Sequence, residues 1–130
     1  MPRKPLADLT ILVVEDHDDA RRYIKIFLRQ LGANVIEARN AIEGLDAIKT
    51  HHPTLVLSDI AMPGGGGFEL LREIRAFERG GERAVPVIAM TALVSSADRQ
   101  RILDAGFRAY LRKPFTPDRL LETIQSVLTD

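Results

Sequence analysis

The sequence contains no cysteine, which excludes disulfide cross-links, thiolate nucleophiles and Cys-ligated zinc. It also lacks any uninterrupted apolar run near the roughly 20 residues that a membrane-spanning helix needs. The opening segment MPRKPLADLT has no apolar stretch of the kind that marks a secretory leader, so a cytoplasmic location without membrane insertion is expected. An excess of charge is missing too. Eighteen basic residues balance eighteen acidic ones, no long block of either sign stands out, and direct nucleic-acid binding is not expected. No linker or low-complexity segment interrupts the 130 residues, so a single domain over 1–130 is expected, with a core from about 9 to 129. What is present, 45% hydrophobic and 28% charged residues, describes a globular chain with a core and argues against disorder.

Short β-rich runs alternate with longer amphipathic stretches. TILVV (10–14), NVIEA (34–38), TLVLS (54–58), PVIAM (86–90) and AYL (109–111) read as five strands. Three of them are nearly continuous apolar runs, as suits strands of a parallel sheet covered on both faces. Between them, Ala20, Ile24, Phe27, Leu28 and Leu31 share one helical face that ends at Gly32. Further helix starts appear at Asn40 with Glu43, at Ser95 with Asp98, and at Thr116 followed by Pro117. A third helix is expected over about 68–77. The pattern predicts an α/β fold, a doubly wound five-stranded parallel sheet with helices on both faces. HHP (51–53) reads as the solvated end of the second helix, where histidines suit the helix dipole.

Open α/β sheets place their sites beyond the carboxyl ends of the strands. Glu15 and Asp16 follow the first strand, Asp59 the third, Thr91 the fourth, and Lys113 with Pro114 the fifth. Singly, each has an ordinary reading as a cap, a strand-end hydroxyl or a solvated lysine. Their convergence on one sheet edge is what gives them weight. Three adjacent carboxylates repel one another unless a cation is present, and Mg²⁺ is the natural one because it takes oxygen ligands and keeps positions open for water and phosphate. His17, beside the acidic pair, is set aside as a ligand because a hard metal prefers oxygen donors. With a metal and a lysine to neutralise phosphoryl oxygens, a carboxylate can act as nucleophile and become an acyl phosphate. Asp59, alone at the end of the central strand, is the best candidate.

These segments, VVEDHDDARR, LSDIAMPGGGGFELLREIR, PVIAMTA and AYLRKPF, resemble in order and spacing the motifs of two-component response-regulator receiver domains, over nearly the whole chain. The resemblance implies a flavodoxin-like sheet of order 2-1-3-4-5 with five flanking helices. It implies phosphorylation of Asp59 by a histidine kinase or histidine phosphotransfer domain. It implies Mg²⁺ held by Asp16 and Asp59 directly, by Glu15 mainly through water, and by the backbone carbonyl of Ala61. Thr91, Ala92 and Lys113 would meet the phosphoryl group, and Tyr110 would be the aromatic switch residue. The bond between Lys113 and Pro114 would be cis. The signal would pass to a downstream protein or attached effector through the face formed by the fourth helix, fifth strand and fifth helix. Such a chain works on itself rather than turning over a substrate, and it is expected either as a stand-alone regulator or as part of a hybrid kinase or larger regulator.

Two other readings compete. A phosphohydrolase of the haloacid-dehalogenase type needs a second acid two residues after the nucleophile, where this chain has Ala61, which cannot protonate a leaving group. A pseudo-receiver that only binds partners is disfavoured by the complete site. Ala61 and Leu93, at the two positions that in the resembled family influence access of the hydrolytic water, cannot orient water by hydrogen bonding, so slow loss of phosphate is expected. Gly64 to Gly67 do not form a P-loop, because Phe68 and Glu69 follow where Lys and Ser or Thr are needed. Gly66 stands where the resembled family usually has an acidic helix cap. A softened loop is expected there, with Glu69 closing a capping box and Gly66→Asp raising stability by a few tenths of a kcal/mol.

Overall fold

The computed structural model describes residues 3–62, 64–79, 84–92 and 95–129. In chain order the elements are β1 (Thr10–Val14), α1 (Asp18–Gln30), β2 (Asn34–Ala38), α2 (Ala41–His51), β3 (Leu55–Asp59), α3 (Gly67–Glu78), β4 (Val87–Thr91), α4 (Ser96–Ala105), β5 (Ala109–Arg112) and α5 (Pro117–Leu128). The strands form one parallel sheet of order β2-β1-β3-β4-β5, the expected arrangement. The central strands β3 and β4 are buried at every position, which is why their sequences read as unbroken apolar runs.

Side chains alternate between two cores along each strand. Leu12 and Val14 join Ala47, Leu70, Ile74 and Ile102 beneath α2, α3 and α4. Ile11 and Val13 join Ile24, Leu28, Leu120 and Ile124 beneath α1 and α5. Leu6 extends the second core, and its amide donates to the Leu31 carbonyl at 2.9 Å.

The helix starts follow local chemistry. Asn40 Oδ1 accepts from the Glu43 amide at 2.8 Å, while the Glu43 carboxylate turns back to the Arg39 amide at 2.9 Å, one residue before the cap. Ser95 and Asp98 form a reciprocal capping box, and Thr116 caps α5 with Pro117 in its first turn.

Several expected boundaries move by one residue, and the physical reason bears on function. Pro86 has no N–H to donate; its carbonyl accepts from the Val56 amide at 3.0 Å and β4 begins after it. At the other end the ladder runs on, pairing Asp59 with Met90 and Thr91 with Arg112. Asp59 and Thr91 are therefore the last residues of their strands rather than the first residues beyond them, and β5 continues to Arg112. The third helix likewise spans one residue more at each end than expected.

Candidate functional site

The carboxyl edge of the sheet gathers the candidate residues. The Glu15 amide donates to Ala38 O at 3.0 Å, so the β1 ladder carries it one step past the strand and buries it completely. Asp59 is 6% exposed and Thr91 3%. One carboxylate oxygen from each of Glu15, Asp16 and Asp59 lies within 4.8 Å of the others. Lys113 reaches in from the end of β5, its Nζ 2.7 Å from Glu15 Oε1 and 3.2 Å from Asp59 Oδ2. The bond that follows it, to Pro114, is cis. The Lys113 amide donates to the Thr91 carbonyl at 2.8 Å, which ties the backbones of these two residues together.

The electrostatics of the two buried acids diverge. Burial works upward on Glu15, but the Lys113 ammonium and the His17 amide, which donates to Oε2 at 3.1 Å, outweigh it and hold Glu15 below the ordinary carboxylate range. Asp59 is pushed upward by burial and by the Glu15 charge, against the weaker opposing pulls of Lys113 and of the Ala61 amide at 3.3 Å. Lys113 loses by burial but gains more from the two carboxylates, so its ammonium form is strengthened. Three negative charges face one positive charge here, and the uncompensated two match a divalent cation. The donors are all oxygen, as Mg²⁺ requires, so the residues present fit that ion.

His17 contributes its backbone amide, and its exposed imidazole stands outside the cluster. Ala61 is exposed in the turn beyond Asp59. Ala92, also exposed, lines an apolar cavity of about 570 Å³ together with Ala20, Tyr23, Ile24 and Phe115, and Glu15 and Lys113 form its inner wall. Tyr110 lies opposite Ala89, two residues before Thr91 on the neighbouring strand, and is half-buried against the core beneath α4. Leu93 lies outside the described residues, as does Pro63.

The glycine tract corrects an expectation. Gly64 and Gly65 take φ of 76° and 127°, the left-handed region that favours glycine. Gly66 has an ordinary φ of −88° and is the N-cap of α3, but a Cβ there would stand 2.5 Å from the Ile60 carbonyl oxygen. A Cβ at Gly67 would stand 2.6 Å from the Asp59 carbonyl oxygen. The turn presses the start of α3 against the end of β3, and the Gly67 amide bonds Ile60 O at 2.9 Å. The tract is thus a geometric requirement of a tight return rather than a softened loop with a weak cap.

Arg21 escaped the sequence reading. Its guanidinium donates to the Glu15 carbonyl at 2.8 Å, to Asp18 at 2.7 Å and to Glu37 on β2 at 3.2 Å, clamping the β1–α1 turn that carries the acidic pair. The spacing to Asp18 is a visible helical signal. The bond to Glu37 depends on β2 lying beside β1, which no local pattern announces.

The sequence profile of the response regulator receiver domain matches residues 11–125. The polar-differentiation response regulator DivK of Brucella ovis is 35% identical over 121 residues, covering 93% of this chain and 97% of DivK. Among solved structures, the receiver domain of sensor histidine kinase PA1611 from Pseudomonas aeruginosa is 33% identical with a TM-score of 0.83, covering 95% of this chain and 100% of that one, and holds a magnesium ion in its active-site cleft. Chemotaxis protein CheY4 of Vibrio cholerae superposes with a TM-score of 0.85 at 28% identity, covering 93% and 99% of the two chains.

Proposed function

The chain belongs to the response regulator receiver domains of two-component signalling, and from that premise we propose that Asp59 is its phosphoacceptor. The observation that carries the reading is the meeting of Glu15, Asp16 and Asp59 within 4.8 Å, with Lys113 ion-paired to two of them. A carboxylate oxygen of Asp59 attacks the phosphorus of a phosphohistidine, an O–P bond forms as the P–N bond breaks, and the histidine nitrogen leaves with its electron pair. Asp16, Asp59 and the Ala61 carbonyl, with Glu15 through water, would hold Mg²⁺, which when bound would supply positive charge to the phosphoryl oxygens. Lys113, already beside Asp59, turns its ammonium to the new phosphoryl group, and Thr91 at the end of β4 offers its hydroxyl. Ala92, next to Thr91, is assigned to the same phosphoryl contact, and it lines the apolar cavity that Glu15 and Lys113 also line.

The donor is a histidine kinase or histidine phosphotransfer domain. The apolar cavity between α1 and the turn into α5, with Tyr23 half-exposed on its rim, supports docking of such a protein beside Glu15 and Lys113. The output follows from Thr91 moving toward the phosphoryl group, because the space it leaves is open to the Tyr110 ring and changes the face formed by α4, β5 and α5. A downstream protein or attached effector reads that face. The activity is chemistry on the protein itself, with slow hydrolysis of its own acyl phosphate. No helix among the described residues is long and apolar enough to cross a membrane.

Incubation with acetyl phosphate and Mg²⁺ tests the assignment. Intact-mass spectrometry is expected to show addition of one hydroxylamine-labile phosphoryl group in the wild type and none in Asp59→Asn or after chelation. Unchanged labelling of Asp59→Asn would refute it.

A further inference from the structure

β3 carries one polar side chain before it reaches Asp59: Leu55, Val56 and Leu57 are followed by Ser58, which has no exposed surface. Burying a hydroxyl is unfavourable unless it is hydrogen-bonded, so its partner is informative. The register partners of Ser58, Val14 on β1 and Ala89 on β4, are apolar members of the core beneath α2, α3 and α4. Ser58 Oγ donates instead to the Asp59 carbonyl, at 3.0 Å. The other end of the same peptide group is held too, because the Ile60 amide donates to the Met90 carbonyl at 3.0 Å. The buried hydroxyl of Thr123, by contrast, bonds Arg119 O one turn back in its own helix, an ordinary helical arrangement.

We propose that Ser58 is a positioning residue for the metal: its hydroxyl fixes the peptide between Asp59 and Ile60, and thereby the turn that presents the Ala61 carbonyl to Mg²⁺. Successive strand side chains point to opposite faces of the sheet, so Ser58 works from the face opposite the Asp59 carboxylate and acts through the backbone. Neighbouring contacts make the orientation of that peptide consequential. The Ala61 amide donates to Asp59 Oδ1 at 3.3 Å, and the Gly67 amide closes the turn on Ile60 O at 2.9 Å. A Cβ at Gly67 would stand 2.6 Å from the Asp59 carbonyl oxygen, so this oxygen is held between the Ser58 hydroxyl and the first residue of α3. Loss of the hydroxyl frees one side of the carbonyl; the peptide can then rotate, and Ala61 follows it. Groups that orient metal ligands from outside the ligand set govern affinity for that reason. The inference rests on the preceding reading of Asp59 as phosphoacceptor and of Ala61 as a backbone ligand.

The test follows phosphoryl addition from acetyl phosphate by intact-mass spectrometry across a Mg²⁺ titration of the full chain. Ser58→Ala is expected to raise the Mg²⁺ concentration for half-maximal labelling by about tenfold, with the rate at saturating Mg²⁺ close to wild type. Ser58→Cys, which fills the same space with a weak donor, is expected to be impaired as well. Thr123→Val removes a buried hydroxyl on α5 and is expected to leave the titration unchanged. A wild-type titration in Ser58→Ala would overturn the inference, as would a fall in rate that saturating Mg²⁺ does not restore. Full recovery in Ser58→Cys would overturn it too, because volume rather than the hydroxyl would then be the requirement. An equal shift in Thr123→Val would do the same by tracing the effect to general loss of stability. A wild-type chain that takes no phosphoryl group sinks the phosphoacceptor reading, whereas normal wild-type labelling with a titration indifferent to Ser58→Ala sinks this inference alone.

Discussion

Gly66→Asp puts the turn beyond β3 under a quantitative strain. The substitution restores a side-chain cap to α3, and aspartate exceeds glycine at that position by only a few tenths of a kcal/mol. Against this, the new Cβ would meet Ile60 O at 2.5 Å, while Cβ contacts below 3.0 Å are essentially never seen, so the backbone must retreat by at least about half an ångström. The group that must move accepts the Gly67 amide, and losing that bond costs about 1 kcal/mol. Overpacking strain adds about 1 to 3 kcal/mol. The net expectation is a loss of about 1.5 to 3.5 kcal/mol, a large part of an ordinary domain's stability. Urea denaturation followed by circular dichroism reads it directly. Gly66→Ala carries the same clash without a cap and is expected to lose slightly more. Gly64→Ala meets nothing within 4 Å and is penalised only through its φ of 76°, by about 1 to 2 kcal/mol. Because Ile60 follows Asp59, Gly66→Asp is also expected to weaken the response to Mg²⁺. A Gly66→Asp protein as stable as wild type, with Gly66→Ala equally unharmed, would refute the steric account.

Asp59→Asn is expected to raise the melting temperature in the absence of Mg²⁺ and to abolish most of the stabilisation that Mg²⁺ confers. The folded pKa of Asp59 is raised, so its favourable contribution is present below the unfolded value and lost as pH rises through the folded one, leaving the ionised form unfavourable at neutral pH; a lower melting temperature at pH 7 without metal would contradict this. Arg21→Gln releases the Glu15 carbonyl and is expected to weaken Mg²⁺ affinity several-fold, measured by titration calorimetry, with Arg21→Lys recovering part of the loss; equal affinities in all three proteins would remove its positioning role. Thr91→Ala is expected to remain phosphorylated while amide shifts around Tyr110 and α5 on beryllofluoride addition fall well below wild type; shifts of full size would sever the hydroxyl from the aromatic. Ala61→Asn supplies a group able to orient water and is expected to speed loss of the acyl phosphate, and a decay rate indifferent to it would discount that position.

Local pattern alone determined the sequence of elements, because apolar runs, capping residues and helix-stopping glycines act over a few neighbours: Asn40, Ser95 and Thr116 cap the helices they were expected to cap. A parallel sheet brings all its carboxyl ends together, so the residues at the ends of the strand patterns were enough to gather Glu15, Asp16, Asp59, Thr91 and Lys113 on one edge. Three things only the tertiary structure decided. Ladder pairing with neighbouring strands extended β3 to Asp59 and β4 to Thr91, so that the two residues are held rather than tethered. The approach of the Ile60 and Asp59 carbonyls made Gly66 and Gly67 a steric necessity, although their sequence context suggested mere tolerance. The clamp of Arg21 on Glu37 joins residues from separate elements. Such contacts are set by the distance between chain segments after folding, a quantity that spacing along the chain does not contain.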